Sequence, residues 1–204
     1  MKPIIDEQEY YEQRFENIHL ELGEILSSKF TDCTFVRCAF GAVGLTNCRF
    51  TNCTFNECDL SLAQLFGSSF PSTVFENSKI IGIDWTQSNW SNIGLSNLSG
   101  FFDCILSHST FIGLDLKGIQ MKNCIANEVD FRDANLSKAN FQGTDLARSL
   151  FGNTNLTEAD LSQARNYDID VYNNIVKQAK FSLPEAIALL YSMDIILKEQ
   201  CDWA

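Results

Sequence analysis

Apolar residues recur at every fifth position through most of this chain. From Phe15 to Leu95 the series has seventeen members without an exception, and after a shift of one residue it runs on from Phe101 to Leu161. A period of five fits neither the 3.6 residues per turn of an α-helix nor the two-residue alternation of a β-strand. The chain therefore has to turn at regular intervals, and such short repeated units predict a solenoid.

A second inward position is predicted two residues before each apolar centre. It is nearly always small, whereas the other positions are mostly Asn, Asp, Ser, Thr, Gly, Lys and Glu, which suit turns and solvent. One large and one small inward residue per unit describe a narrow coil with a filled interior. Four units make a square coil of twenty residues, and thirty units predict a rod of roughly 36 Å at the strand spacing of about 4.8 Å.

Every fourth apolar centre belongs to the same column of the predicted square coil. We interpret the shift within residues 96–100 as a bulge that adds one residue to one corner. One column is then wholly aromatic, and its rings are expected to stack one coil apart. This predicted core aromatic column consists of Phe30, Phe50, Phe70, Trp90, Phe111, Phe131 and Phe151.

Seven of the eight Cys residues occupy the small inward position, and only Cys201 lies outside the repeats. In that position a free Cys behaves as a small buried hydrophobe. Fixed columns inside a filled coil cannot gather four ligands around zinc, and stacked disulfides are not expected in a reducing cytoplasm. We therefore predict no metal site and no cofactor. The seven are Cys33, Cys38, Cys48, Cys53, Cys58, Cys104 and Cys124.

Composition excludes several classes of function. The net charge of -11 repels phosphate backbones and anionic membranes, which argues against direct binding of nucleic acid. The sequence contains no apolar run of membrane-spanning length and no secretion signal, so a cytoplasmic protein is expected. The two His residues, His19 and His108, lie at outward positions in different coils with no nucleophile motif beside them. We predict that the protein is not an enzyme.

The repeats resemble the pentapeptide-repeat proteins, whose motif is A(D/N)LXX. The best matches are residues 134–138, 139–143, 144–148 and 159–163, and the resemblance covers about residues 13–165. It implies an all-β solenoid, a right-handed quadrilateral parallel β-helix. Relatives that protect topoisomerases carry longer loops on the coil, and we expect no insertion of that size here.

The two ends depart from the repeat. We predict an N-terminal lead or cap over residues 1–14, the β-helix over 15–165 and a C-terminal segment over 166–204, with a helix at about 183–193. Ser182 and Glu185 are spaced as a capping box for that helix. The segment resembles the ending of the topoisomerase-protecting subgroup typified by Qnr and MfpA proteins, in which it joins two rods as a homodimer. The implied dimer interface is Ile187, Leu190, Tyr191 and Met193, and simple capping of the coil is the alternative.

Two classes of function follow. The resemblance implies a non-catalytic DNA mimic that binds DNA gyrase or topoisomerase IV and shields it from quinolones. The alternative is a structural or scaffolding module whose acidity serves solubility. Five cations, Lys117, Lys122, Arg132, Lys138 and Arg148, make the second half less uniformly acidic. The predicted DNA-mimic acidic surface is Asp59, Glu76, Asp84, Asp115, Asp130, Asp145 and Asp160.

Overall fold

A computed structural model of the chain describes residues 4–20, 23–90, 98–193, 195–196 and 198. The chain forms a right-handed quadrilateral β-helix of about eight turns in which the paired strands are parallel, so the predicted fold class is confirmed. Each coil has four faces, and each face has one apolar residue at its centre. We number the faces by one coil: face I is centred on Leu65, face II on Phe70, face III on Phe75 and face IV on Ile80.

The strands in the described residues are only two or three residues long, because every unit must turn a corner after them. Most faces pair through a single bridge between coils. The strands are β1 Glu9–Tyr11, β2 Arg14–Glu16, β3 Glu24–Leu26, β4 Lys29–Thr31, β5 Thr34–Val36, β6 Gly44–Thr46, β7 Arg49–Thr51, β8 Thr54–Asn56, β9 Val74–Glu76, β10 Gly100–Phe102, β11 Gln120–Lys122, β12 Asp160–Leu161 and β13 Lys180–Phe181.

The register between coils is twenty residues except at one coil. On face III, Phe35 pairs with Phe55 and Phe55 with Phe75, but Phe75 pairs with Phe101, which is 26 residues further on. The same offset of 26 relates Lys79 to Ile105 on face IV. The predicted one-residue slip is therefore wrong. The insertion is six residues, one complete unit plus one residue.

The extra residues fall between Asn89 and Ser99. The Asn89 amide still donates to Ser68 O in the ordinary register, whereas the Ser99 amide donates to Thr73 O, 26 residues away. Leu95, which the sequence places in the apolar series, lies outside the described residues. Five of the six extra residues make a complete unit, which leaves the five-residue period of the sequence unchanged. The sequence therefore revealed only the sixth, as a shift of one residue.

The predicted core aromatic column is also wrong, for the same reason. Phe30, Phe50 and Phe70 do stack on face II, with ring centroids 4.8 and 5.1 Å apart. Beyond the insertion, every apolar centre lies one face away from the face on which the sequence placed it. The second half of the predicted column stacks instead on face I, above Trp85. There Phe111 lies 5.7 Å from Trp85, Phe131 lies 5.5 Å from Phe111, and Phe151 lies 5.4 Å from Phe131.

Trp90 is half-buried beside this stack. Its indole Nε1 donates a hydrogen bond of 2.8 Å to Trp85 O, and its ring meets that of Trp85 edge-on at 6.5 Å. The Trp85 ring is fully buried and lies edge-on to Phe70 and Phe75. These two Trp residues thus join the aromatic stacks of faces I, II and III at the insertion.

The small inward position supports the backbone between coils. Ser68 Oγ donates to Leu45 O at 2.7 Å and accepts from the Cys48 amide at 2.7 Å. Cys thiols at the same position point toward the equivalent carbonyl; Cys58 Sγ, for example, lies 3.5 Å from Phe35 O. The prediction that the seven repeat Cys residues are buried and free is confirmed, and burial raises the pKa of the Cys124 thiol to about 12. Cys201 is outside the described residues.

Corners of the coil have a left-handed residue two places after the centre. Asn52, Asn77 and Asp103 have φ of 53°, 49° and 54° there, which is the conformation that Asn, Asp and Gly tolerate best. This requirement explains the polar residues that follow each centre. Leu62, with φ of 60°, holds a bulky apolar side chain in the same conformation.

The coil extends past the predicted limits of 15 and 165. At the start, β1 pairs with β4, and the Tyr10 ring stacks on Phe30 at 5.0 Å. At the end, β12 pairs with β13, so residues up to Phe181 continue face III. Hydrogen bonding between coils thus begins and ends in segments whose sequence has lost the repeat.

The C-terminal helical segment is shorter than predicted. A 3-10 helix at Glu185–Ile187 leads into an α-helix, α1, at Ala188–Tyr191. The predicted capping box is wrong, because no side chain caps either helix and Ser182 Oγ accepts from the Gln163 amide instead, at 3.2 Å. A second 3-10 helix at Trp85–Gln87 is capped by the Asp84 side chain, which accepts from the Thr86 amide.

Candidate interaction surface

Six of the seven predicted acidic residues occupy one structural position, immediately before an apolar centre. In each of them the carboxylate accepts a hydrogen bond from the amide two residues further on; Asp59 binds the Ser61 amide and Asp160 the Ser162 amide, both at 2.9 Å. This is an Asx turn, which an Asn oxygen makes equally well. The other four are Asp84, Asp115, Asp130 and Asp145. The D/N position of the motif is thus a turn-forming position.

These six carboxylates are not brought together on one face. The register places two on face I, one on face II, one on face III and two on face IV. Three are also ion-paired with cations, and their side chains are only 15%, 17% and 23% exposed. The pairs are Asp130 with Arg132, Asp145 with Arg165 and Asp160 with Lys180.

The bonds to these three carboxylates lower their pKa values. Partial burial raises the pKa of Asp145, but hydrogen bonds from Asn166 and Arg165 outweigh it. Burial likewise raises the pKa values of Asp130 and Asp160. Bonds from Arg132 outweigh this effect at Asp130, and bonds from Ser162 and Lys180 outweigh it at Asp160. All three carboxyl groups are therefore better stabilised as anions in the folded chain than in the unfolded one.

We expect these anions to make the fold acid-sensitive. Because the folded-state pKa is the lower one, their contribution is present above the unfolded value of about 4 and is lost as the pH falls through the folded value. The triple variant D130N/D145N/D160N keeps the Asx turns, as Asn135 shows with its bond to the Ser137 amide. Thermal unfolding between pH 7 and 2.5 should show a fall in Tm that is smaller in the variant by roughly 3–5 °C. Parallel curves for the two proteins would contradict this prediction.

Unpaired negative charge lies elsewhere, along the edge where faces III and IV meet. Glu57 and Asp103 lie at this corner, two residues after their centres. Glu76 lies on the coil between them, one residue before the corner residue Asn77, and the Glu57 amide donates to Glu76 O at 3.1 Å. None of their carboxylates makes an ion pair or hydrogen bond with another residue in the described part of the chain. We call these three residues the acidic edge. The charge of the acidic edge also affects the buried Cys104 thiol. Burial is the largest cause that raises the pKa of this thiol, and together with the charges of Asp103 and Glu76 it raises the pKa to about 11.

Only Glu76 of the acidic edge was predicted from the sequence. Glu57 and Asp103 are corner residues with φ near 54°, so their side chains cannot form the Asx turn of the motif position. Their position relative to the apolar centre is the sequence signal that could have identified them. A carboxylate one residue before a centre accepts a hydrogen bond from a backbone amide, whereas a carboxylate after the centre faces solvent.

Most cations of the rod are neutralised locally. Lys138 pairs with Glu158 at 3.6 Å, and Arg148 Nε binds Glu128 at 2.8 Å, one coil apart in each case. Exposed pairs of this kind stabilise a protein by about 1 kcal/mol or less, so their main effect is on the surface charge. Three of the five cations predicted to weaken the acidity of the second half, Arg132, Lys138 and Arg148, are paired in this way.

The residues of the predicted dimer interface lie at the C-terminal end of the rod. Ile187, Tyr191 and Met193 are 39%, 70% and 38% exposed, and Leu190 is half-buried. Ile187 and Tyr191 line an open groove of about 350 Å³ together with Tyr167. Burial raises the pKa of Tyr167 to about 12, and its hydroxyl has no hydrogen-bond partner within the described part of the chain. The rod therefore ends in an exposed apolar surface.

Other kinds of site were also considered. No group of three or more His, Cys, Asp or Glu residues in the described ranges is arranged to hold a metal ion. In the same ranges, no helix has the length and apolar character needed to cross a lipid bilayer. Both His residues are exposed; His19 Nδ1 contacts Asn17 O, and His108 Nδ1 lies 3.2 Å from Glu128.

Comparison with known proteins settles the family. The profile of the pentapeptide repeat region matches residues 28–99 and 94–161. The chain belongs to the pentapeptide-repeat family. Among curated protein sequences, none matches this pentapeptide-repeat protein at a significant level.

A solved structure shares the coil over most of this pentapeptide-repeat protein. A trypsin-treated variant of QnrB1, a plasmid-mediated fluoroquinolone resistance protein, superposes with a TM-score of 0.56 at 18% identity, over 95% of this chain and 93% of QnrB1. HetL, a protein of heterocyst differentiation regulation from the cyanobacterium Nostoc, is 15% identical over 84% of this chain and 88% of HetL, with a TM-score of 0.34. At 18% identity the likeness to QnrB1 concerns the fold.

Proposed function

We propose that this pentapeptide-repeat protein is a non-catalytic DNA mimic that binds a type II topoisomerase, DNA gyrase, and protects it from quinolones or other gyrase poisons. The observation that carries the proposal is the acidic edge: three carboxylates on consecutive coils make no ion pair or hydrogen bond within the described ranges, on a rod where most of the described cations are paired. A surface of unpaired anions attracts a protein that is built to hold phosphates.

The spacing of the acidic edge supports this proposal. Successive coils are about 4.8 Å apart, and one strand of duplex DNA presents a phosphate every 3.4 Å or so along its axis. The carboxylates of Glu57, Glu76 and Asp103 therefore form a row of charges of comparable density. Their backbone is fixed by hydrogen bonds to the neighbouring coils, so little ordering is needed on binding.

The proposed mechanism is competition and involves no covalent chemistry. The rod occupies part of the cationic surface on which gyrase holds DNA. A homodimer joined through Ile187, Leu190, Tyr191 and Met193 would double the rod to roughly 70 Å at the coil spacing. Topoisomerase IV, which holds DNA in a similar way, is the second proposed target.

Gyrase supercoiling of relaxed plasmid tests the proposal. We expect the purified protein to restore supercoiling in the presence of a fluoroquinolone, with an effect that weakens as salt is raised. The variant E57Q/E76Q/D103N should need at least about tenfold more protein for the same rescue, which corresponds to a loss of about 1.4 kcal/mol.

A second triple variant serves as the matched control. E9Q/D130N/E158Q changes the net charge by the same amount but removes carboxylates that are ion-paired with Lys29, Arg132 and Lys138, away from the edge where faces III and IV meet. It should behave nearly like the unmodified protein. Equal losses in both variants would show that net charge alone matters, and absence of rescue by the unmodified protein at micromolar concentration would overturn the proposed function.

The apolar C-terminal end favours one alternative, a scaffolding module with another protein partner. Leu183 and Ile196 are 79% and 89% exposed there, beside the residues of the predicted dimer interface. Solution mass separates the two uses of this end. A dimer abolished by I187D/Y191D supports end-to-end pairing, whereas a monomer at high concentration leaves the apolar end for a different protein.

A further inference from the structure

We infer that face IV is the docking face of the rod, and that its occupant is a basic amphipathic helix of the topoisomerase lying obliquely across that face. This inference rests on the proposed function and specifies the surface and the chemistry of the contact. Face IV borders the acidic edge together with face III, since the two faces meet at the corner formed by Glu57 and Asp103.

Apolar side chains cover the middle of face IV. Leu62 is 62% exposed at its far corner, and its amide donates to Ile81 O at 2.8 Å. Two coils further along, Ile105 pairs with Ile125, which is 40% exposed. The equivalent positions on the coil below hold only small residues, Ala39 and Gly41. An apolar strip therefore crosses face IV obliquely, from Leu62 at the far corner to Ile105 and Ile125 beside the acidic edge.

Leu62 is held in an unfavourable conformation. Its φ of 60° costs a residue with a branched side chain about 1 kcal/mol or more, and the corner position elsewhere is usually Asn, Asp, Glu or Gly. Gly82 lies directly beyond it, and a Cβ atom there would come within 2.7 Å of Leu62 Cδ2. The Gly at position 82 thus leaves space for the Leu62 side chain on the outer surface. The same conformation recurs at the other corners, including those of Lys138 and Arg148, so what distinguishes Leu62 is its exposed apolar side chain.

Charge complementarity identifies the occupant. On the four coils from Asp59 to Glu128, the Asp, Glu, Lys and Arg side chains of face IV are Asp59, Lys79 and, at the far corner like Leu62, Glu128. The Ser61 amide binds Asp59, and Arg148 forms an ion pair with Glu128. The unbalanced charge is the acidic edge on one side. A complementary surface places Lys and Arg next to an apolar row, which is the pattern of a basic amphipathic helix.

The dimensions also fit a helix. Three coil spacings separate Leu62 from the coil of Ile125, about 14 Å at 4.8 Å each. An α-helix covers that distance in about ten residues, nearly three turns. Apolar residues at i, i+3 or i+4 and i+7 would meet the strip, with cations on the flank facing Glu57, Glu76 and Asp103.

Photo-crosslinking to purified DNA gyrase tests the docking face. A photoreactive phenylalanine analogue replaces Leu62 on face IV or, as the control on the opposite face, Thr51 on face II of the same coil. We expect crosslinks from position 62 only, to a gyrase segment that combines Lys or Arg with apolar residues.

Surface variants provide a second readout. L62N/I125N should weaken rescue of supercoiling at least about tenfold, whereas the control L150N, at a side chain 48% exposed on face I, should change it less than twofold. Asn suits the left-handed corner better than Leu, so L62N alone is expected to raise Tm and still to weaken rescue. The Tm of L62N/I125N is measured alongside, so that a loss of binding in the folded double variant is distinguished from unfolding.

The outcomes separate the two proposals. Rescue by the unmodified protein, with crosslinks from face II or full activity of L62N/I125N, overturns the docking face and leaves the proposed function standing. Crosslinks from position 62 to a gyrase segment without Lys or Arg overturn the basic helix as occupant. Neither rescue nor crosslinks from any position overturns both.

Discussion

Replacing Phe101 by Ala is expected to lower the free energy of unfolding by about 4 kcal/mol. Phe101 is fully buried, and its ring stacks on Phe75 at 5.4 Å and meets Trp85 edge-on at 5.4 Å. It is the first centre after the insertion, so it connects the two regular halves of the interior. Denaturant unfolding measures the loss, and F66A, at a side chain 49% exposed, should change the stability by less than about 0.5 kcal/mol.

A double-mutant cycle sharpens this prediction. The 26-residue register places Phe101 against Phe75, whereas a one-residue slip would place it over Ile80. We expect a coupling of about 1 kcal/mol between F75A and F101A. Strictly additive losses for this pair would contradict the register of the long coil.

The second large effect is expected at Gly100, where the chain re-enters the β-helix. A Cβ atom at this position would lie 2.3 Å from Gln120 O and 2.7 Å from Gln120 Cβ, both on the next coil. Its φ of 157° is also one that side chains rarely adopt. G100A must therefore push β10 away from β11, at a cost of about 3 kcal/mol.

Gly113 offers the control for G100A. Its φ is 69°, but an added Cβ would have no atom within 4 Å. G113A should therefore cost only the conformational penalty of about 1 kcal/mol. Thermal unfolding of G100A and G113A measures this difference. Equal falls in Tm would show that the contact with Gln120 does not add to the cost of G100A.

The architecture was predictable because one rule acts at every unit. A large centre and a small residue two positions before it define the interior, and that rule led from Phe15 to Leu161 to the correct fold class. The register could not be predicted across the insertion. A complete unit obeys the same rule as its neighbours, so only pairing between coils, such as Phe75 with Phe101, reveals that it does not belong to the stack.

The interaction surface was less predictable, because an acidic residue in a repeat has two uses. Asp59 and Asp160 carry charge but are used by their own turns, whereas Glu57 and Asp103 are free to face solvent. The amino-acid composition does not distinguish carboxylates that are bound in turns from those that face solvent. Distinguishing them requires the position of each carboxylate relative to its centre, and the ion pairs that cancel Glu128 and Glu158 depend on which residues the register places one coil away.

The long coil has a consequence for how the surface of such a rod changes over evolution. The extra residues between Asn89 and Ser99 are held within that one coil, so the ladders on its two sides stay in line: Phe101 continues the column of Phe75, and Ile105 continues that of Lys79. Gain or loss of residues at this place therefore leaves every later side chain on the face that it would otherwise occupy. The long coil is a position at which the chain can change its length in evolution while the exterior on either side is preserved.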